Sequence, residues 1–382
     1  MSATSTPTPC IAIVGAGPLG LATALALTRR GQRVRIFDAH AANAAPQDHR
    51  ILALSQGSRD LLELLDAWPA RLATPISTIH VSQATGFVQT RLSAREQHVA
   101  ALGYVVAAQA VLDTLRRQAQ TQGIAIEYGA LVEPDTEAGH FTVSTADGKR
   151  HEQAELVIYC EGGVQEAAAD LQHDYAQHAL LCLASPATPH ANHAHERFTP
   201  RGPLALLPYG NEYAVVWSVP ASEVERLLAA DDAVWLAEMN ACLPAAERLS
   251  GLHERAHYPL GLRMRSQITG PRCVWLGNAA QTLHPVAGQG FNLALRDAWT
   301  LAETLTAADD PGAEALLRRY ARARRLDRTS TARFTDLLAW GFASSLPGLT
   351  PLRDLGLLAL ETLPPLRQFL ARRMIFGARA WP

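Results

Sequence analysis

Residues 10 to 38 read strand–helix–strand: an apolar run at Ile11-Ala12-Ile13-Val14, an alanine/leucine helix through Leu27, and a second strand at Val34-Arg35-Ile36-Phe37. That order opens a parallel sheet. Ser55 to Trp68 predicts a helix with Leu61, Leu62, Leu64 and Leu65 on its apolar face. Ile76 to Ser82 and Phe87 to Leu92 predict extended segments on either side of Thr85-Gly86, and Val105 to Gln122 predicts a helix. Ile124 to Tyr128, Phe141 to Thr145 and Glu155 to Tyr159 predict strands. The middle changes character. Ala179 to Ala184, Glu196 to Thr199, Leu204 to Leu207, Tyr213 to Val219 and Tyr258 to Ser266 alternate or run apolar, with Pro and Gly between them. That pattern predicts an antiparallel sheet. From Asp297 onward the chain predicts helix, broken at Pro347, Pro351 and Pro364-Pro365.

Two stretches carry chemistry. The first is Gly15-Ala16-Gly17-Pro18-Leu19-Gly20, a G-x-G-x-x-G turn between strand and helix. Its first glycine permits the tight turn, the second lets backbone approach a pyrophosphate, and the third allows close packing of helix on strand. Asp38 ends the second strand 18 residues beyond Gly20, where a dinucleotide fold places an acid to accept hydrogen bonds from a ribose. Glycine-rich turns are common, but the flanking strand, helix and acid make this one specific. The second stretch runs from Gly277 through Asn278, His284-Pro285-Val286-Ala287-Gly288-Gln289-Gly290-Phe291-Asn292 to Asp297. Glycines and a proline lie there between the run ending at Leu276 and a following helix, so a helix N-terminus meets whatever ligand fills the loop. The antiparallel sheet lies between these two stretches.

Composition narrows the class. At 382 residues the chain predicts two domains, or one domain with a large insertion. A formal charge of −2 argues against a nucleic-acid partner. Five cysteines (Cys10, Cys160, Cys182, Cys242, Cys273) show no C-x-x-C pair, so reduced thiols in a cytoplasmic protein are expected, with neither a disulfide frame nor a zinc site. Met1 to Pro9 lacks the basic region and apolar core of a signal peptide, and no run approaches the roughly 20 apolar residues of a membrane span. The protein is expected to be soluble, or at most peripheral to a membrane.

The two motifs, with a sheet between them, resemble the flavin-dependent aromatic hydroxylases of the p-hydroxybenzoate hydroxylase fold, over nearly the whole chain. Within that family, Gly277 to Pro285, Gly288 to Asn292 and Glu196 to Pro208 resemble the ubiquinone-biosynthesis hydroxylases, especially the 2-polyprenyl-6-methoxyphenol branch. The resemblance implies an α/β fold: a Rossmann-like FAD-binding domain (1–70, 102–170 and 268–330), an inserted antiparallel-sheet substrate domain (71–101 and 171–267), and a helical C-terminal region (331–382). It implies FAD held through Gly15, Gly17, Gly20 and Asp38, with Arg50 over the pyrophosphate and Gln109 as a further contact. Glu161-Gly162 stands where the family has Asp-Gly, and Gly277-Asn278 where it usually has glycine then aspartate; both replacements keep an acceptor oxygen. Gly288, Gly290, Phe291 and Asn292 are expected against the flavin ring; His284, next to Pro285, either stands beside the substrate or only hydrogen-bonds backbone. The implied reaction is hydroxylation of a lipid-tailed phenol with dioxygen, through a flavin C4a-hydroperoxide, with NAD(P)H or another reductant. A reductase or dehydrogenase on the same fold, and a non-catalytic flavin-binding assembly subunit, remain as alternatives.

Other residues have plainer readings. His190, His193 and His195 fall in an Ala/Pro/Asn-rich loop and are expected to be solvated, not metal ligands. Trp217 and Phe198 suit either a ring pocket or the core. Arg318, Arg319, Arg322, Arg324, Arg325 and Arg328 read as a solvated helix face. Leu355, Leu357, Leu358, Leu360, Leu363 and Leu366, followed by Arg367, Arg372, Arg373 and Arg379, either cap the FAD domain or form a surface for a membrane or a quinone-biosynthesis complex.

Overall fold

The structure is a computed structural model that describes residues 11–42, 48–84, 86, 88–164, 166–343 and 349–377. Met1 to Cys10, Thr85, Phe87, Pro347 and Arg379 lie outside the described residues.

The expected parallel sheet has six strands, in the order Thr269–Gly270, Cys273–Trp275, Leu156–Tyr159, Ile11–Val14, Val34–Asp38 and Ala125–Tyr128. All neighbours are parallel except the short edge strand Thr269–Gly270. Ile11–Val14 is wholly apolar because both faces of the sheet are covered. Ile11 and Ile13 pack with the helices Pro18–Thr28, Ala108–Thr121 and Gln289–Thr304. Ala12 and Val14 pack instead with Phe37, Phe141 and Val143, under a three-stranded sheet of Leu131–Pro134, His140–Thr145 and Gly148–Gln153.

An eight-stranded sheet takes the middle of the chain, in the order Gln281–Thr282, Leu249–Met264, Leu171–Pro186, Glu212–Pro220, Gly202–Tyr209, His193–Thr199, Thr78–Gln83 and Gln89–Ser93. It departs from the expected antiparallel pattern at one place: His193–Thr199 runs parallel to Thr78–Gln83. One face carries Leu180, Leu204, Leu206, Val215 and Trp217 beneath the helices Ala221–Ala229 and Asp232–Cys242, so Trp217 is core. The opposite face sets Ala194, Ala214, Leu183 and Leu207 against Ile51, Ile76 and Val105. His193 and His195 are on a strand rather than in a loop, and His195 stacks on His80 at 5.1 Å.

Other features differ from expectation as well. Gly103–Ala107 is a strand, and the helix starts only at Ala108, because Gly103-Tyr104-Val105 pairs with both Ile51–Ser55 and Thr74–Ile76. Pro351 does not break a helix; it sits in the first turn of Leu349–Thr362, where no intrahelical N–H is needed. The arginine-rich helix Glu314–Ala343 is not a purely solvated face, since Arg324 and Arg328 are buried.

Candidate functional site

Gly15, Asp38, Glu161 and Gly277 all lie at the carboxyl ends of parallel strands, where open α/β sheets bind ligands. Backbone bonds tie these ends together: Gly15 N–H donates to Phe37 O (2.7 Å), Cys160 N–H to Val14 O (2.9 Å) and Leu276 N–H to Tyr159 O (2.9 Å). Gly15 has φ +103°, and a Cβ on Gly20 would come within 1.9 Å of Gly15 O, so both positions demand glycine. Gly17 is different. A Cβ there would meet no heavy atom of the described residues within 4 Å, its own chain neighbours aside. It caps the helix Pro18–Thr28 without any side-chain bond, leaving N–H groups at the helix end for an anion.

Asp38 accepts from Ala16 N–H (2.7 Å) and His40 N–H (2.8 Å), which fixes its carboxylate beside the glycine turn. Glu161 lies over the same turn: a Cβ on Gly15 would sit 3.1 Å from its Oε2. Burial, and then the charge of Asp38, hold the Glu161 carboxyl above the usual range. Two acids sharing one edge of the turn suit a ligand rich in hydroxyl donors, as a ribose or ribityl chain is. Gly162 (φ +76°) and Gly290 also open onto space free of protein atoms, and Asn278 is exposed on the turn after Gly277. The glycine turn, uncapped helix and paired acids therefore fit a dinucleotide such as FAD.

Arg50 and Gln109 form a separate group. Arg50 donates Nε and Nη2 to the two oxygens of Asp48 (2.7 and 2.6 Å), and Asp48 N–H donates to Gln109 Oε1 (3.3 Å). The bond to the Asp48 carboxylate, against the opposing effect of burial, raises Arg50 above its usual range. An anion approaching Arg50 would have to compete with Asp48 for the guanidinium.

The late loop meets Ile51–Ser55, since a Cβ on Gly288 would lie 3.1 Å from that of Ala53. Asn292 has a role the sequence did not disclose. Its Oδ1 accepts from Ser55 N–H (2.8 Å) and Ser58 Oγ (2.6 Å), while Nδ2 donates to Ala53 O (2.9 Å) and Gly288 O (2.6 Å). The side chain is a buried tether between helix and strand, not an open contact for a ring. Phe291 is half-buried against the core beneath the six-stranded sheet.

His284 is buried. Its Nδ1 accepts from Val286 N–H (3.1 Å), which assigns the proton of the neutral ring to Nε2, and Nε2 has no partner among the described residues. Burial pushes it down to about 4, although Asp336 favours the cation. The ring meets Tyr175 edge-on at 5.0 Å, and Tyr175 donates to Asp336 (2.8 Å). Pro285 starts the turn that Gly288 N–H closes onto its carbonyl (2.8 Å).

Beneath the loop, Gln281 and Asp297 are gripped by Arg328 and Arg324. The signal was present: Arg324 and Arg328 share the i, i+4 stripe of Leu317 and Tyr320, which marks them as inward.

A family model described as an FAD binding domain matches residues 8–335. The chain belongs to that family. It is 31% identical to ubiquinone hydroxylase UbiL of Rhodospirillum rubrum, across 97% of this chain and 90% of that protein. It is 30% identical to 3-demethoxyubiquinol 3-hydroxylase of Escherichia coli, across 94% of this chain and 96% of that protein. The crystal structure of p-nitrophenol 4-monooxygenase PnpA from Pseudomonas putida superposes with a TM-score of 0.78, covering 97% and 99% of the two chains, at 17% identity; it shares the fold. The resemblance drawn from Gly15–Gly20 and Gly277–Asp297 thus holds: this is an FAD-dependent aromatic-ring hydroxylase of the p-hydroxybenzoate hydroxylase fold.

Proposed function

We propose that the protein hydroxylates the ring of a polyprenylated phenol in ubiquinone biosynthesis, using dioxygen and electrons from NAD(P)H. The observation that carries this reading is the near-full-length likeness to two ubiquinone-pathway hydroxylases, joined to a glycine turn open at Gly17. FAD, when bound, supplies the activation of oxygen. Residues 1–70, 102–170 and 268–330 would hold it: Gly15, Gly17 and Gly20 at the pyrophosphate, Asp38 at the ribose, Glu161, Gly162, Gly277 and Asn278 along the ribityl side, Gly288 and Gly290 under the ring. Residues 71–101 and 171–267 would cover the ring and exclude water. His284, held neutral, would offer an Nε2–H donor at the loop edge beside Pro285 rather than a charge. In purified protein, a prenylated phenol should stimulate NAD(P)H-dependent oxygen uptake with a catechol or hydroquinone as product. NAD(P)H oxidation that proceeds without oxygen consumption would point to a reductase instead.

The helices Leu349–Thr362 and Pro364–Phe376 support contact with a membrane. Leu355 (60%), Leu363 (53%), Phe369 (46%), Leu358 (44%) and Leu366 (42%) are exposed, whereas Leu357 is buried. No helix among the described residues is long and apolar enough to cross a membrane. Of the basic residues nearby, Arg367 pairs with Glu96 and Glu361, and Arg373 bonds Ser330, so the leucines would contribute most of the attraction. Replacing Leu355 and Leu366 together by serine should weaken binding to sedimented phospholipid vesicles by about 100-fold or more, at roughly 1.5–3 kcal/mol per buried leucine. Unchanged sedimentation would mean that the patch serves another purpose.

A further inference from the structure

The register of the eight-stranded sheet aligns Ala256, Leu181, Val216, Ala205, Glu196, Val81 and Thr90 side by side. Residues paired laterally in a sheet share a face. Here it is the face of Ala194 and Leu207, which pack on Ile51 and Val105 and so look toward the strand that supports Gly288 and Asn292. Arg197 alternates to the other face, where its Nη1 donates to Ser82 Oγ (3.0 Å) and its Nε to Cys242 O. Among alanines, valines and a leucine, Glu196 is an acid. Its Oε1 is closed off from solvent and has no hydrogen-bond partner among the described residues, and Thr90 Oγ1, two strands away in the same row, has none there either.

An unpartnered acid beside apolar neighbours is costly unless something binds it. Burial alone pushes Glu196 up to about 7. The charged groups of the packed elements are engaged elsewhere or turned away. Asp336, on the helix Glu314–Ala343, accepts from Tyr175 and contacts His173, and Arg333 of that helix is exposed. Asp354, on the helix Leu349–Thr362, accepts from Gln83 Nε2. His80 and His195 stack together on the opposite face.

We propose that Glu196 receives the phenolic hydroxyl of the substrate, first as hydrogen-bond acceptor and then as proton acceptor. The phenol O–H bond breaks, its electron pair stays on oxygen, and the proton forms a new O–H bond on the Glu196 carboxylate. No electrons change owner in this step. The resulting phenolate is richer in electrons at its ring carbons, which is what transfer of an electrophilic oxygen requires. An acid titrating near neutrality suits this duty, since it is partly ionised before transfer and holds the proton after it. The proposal rests on the hydroxylase reading given above.

The test uses the purified FAD-loaded protein with 2-geranylphenol and its O-methyl ether as probes, binding being read from the flavin absorbance change. The wild type should bind the phenol about tenfold or more tightly than the ether, about one charge-assisted hydrogen bond. Glu196→Ala should erase that preference. Glu196→Gln, of the same shape, should keep FAD and bind the phenol within a few-fold, yet lower phenol-dependent oxygen uptake by about 100-fold. It should also abolish the limb of the pH profile near neutrality. If Glu196→Gln equals the wild type in uptake and pH profile, or Glu196→Ala keeps the preference, the proposal is overturned. If Glu196→Ala fails to load FAD, the glutamine variant decides. If no phenol drives oxygen uptake in the wild type, the hydroxylase reading fails, and the phenol–ether comparison still decides whether Glu196 holds the hydroxyl.

Discussion

Gly17→Val should give a folded protein that contains no flavin. The backbone at Gly17 is extended, with φ −70° and ψ 178°, so a β-branched residue fits without strain. Its chain neighbours aside, no atom of the described residues lies within 4 Å of the added Cβ, so the valine displaces none of them. What it fills is the space before the uncapped helix, where the pyrophosphate would approach backbone N–H groups. Affinity for FAD should fall by at least about 100-fold, the loss of roughly 3 kcal/mol of close contact. The melting temperature measured without flavin should stay within a few degrees of the wild-type apoprotein. Gly20→Ala is the control in the opposite sense, because its Cβ would lie 1.9 Å from Gly15 O and the helix would have to move. Purified Gly17→Val carrying stoichiometric FAD would remove the pyrophosphate from this turn.

The glycine turn was legible in the sequence because its constraints are local. Strand, turn, helix and Asp38 follow one another within a short stretch, and each residue type answers a backbone requirement. The paired role of Glu161 was half legible: its place after a strand was plain, its closeness to Asp38 was not, since only the parallel pairing brings those two strand ends together. The partners of Asn292 were hidden for a similar reason. A short polar residue in a helix's first turn reads as a ligand contact or a cap, but three of its four partners lie on Ala53, Ser55 and Ser58, far away in sequence. Arg50 fitted the family pattern, and only the structure shows Asp48 holding it. Glu196 looked like one polar residue in an alternating strand. Its isolation depends on five other strands supplying apolar side chains to the same row, which no local pattern reports.

Asp327→Asn should destabilise the folded protein by about 3–5 kcal/mol, the cost of leaving a buried cation without its counter-charge. Asp327 lies on the buried side of the helix Glu314–Ala343, where its Oδ2 accepts from Arg296 Nε (2.8 Å) and Arg324 Nη2 (2.7 Å). Arg324 in turn donates Nε to Asp297 (2.5 Å), on the helix that begins at the late glycine loop. The network thus fastens the helix behind the candidate flavin ring to the C-terminal region. Burial alone would raise the Asp327 carboxyl; Arg296 and Arg324 outweigh it and bring it down to about 2, from 3.8. The sign follows from linkage: the group binds protons more weakly when folded, so its stabilisation is complete above the unfolded value and is lost as pH falls through about 2. A shift of that size is worth about 2 kcal/mol. Urea unfolding of the wild type should therefore weaken between about pH 4 and pH 2, and Asp327→Asn should lack that part of the acid dependence while unfolding at lower urea throughout. The asparagine keeps the shape and one acceptor but not the charge, so the comparison isolates electrostatics from packing. Equal urea midpoints at neutral pH would show that Arg296 and Arg324 find another counter-charge, with Asp297 the nearest, and that the helix behind the loop does not depend on Asp327.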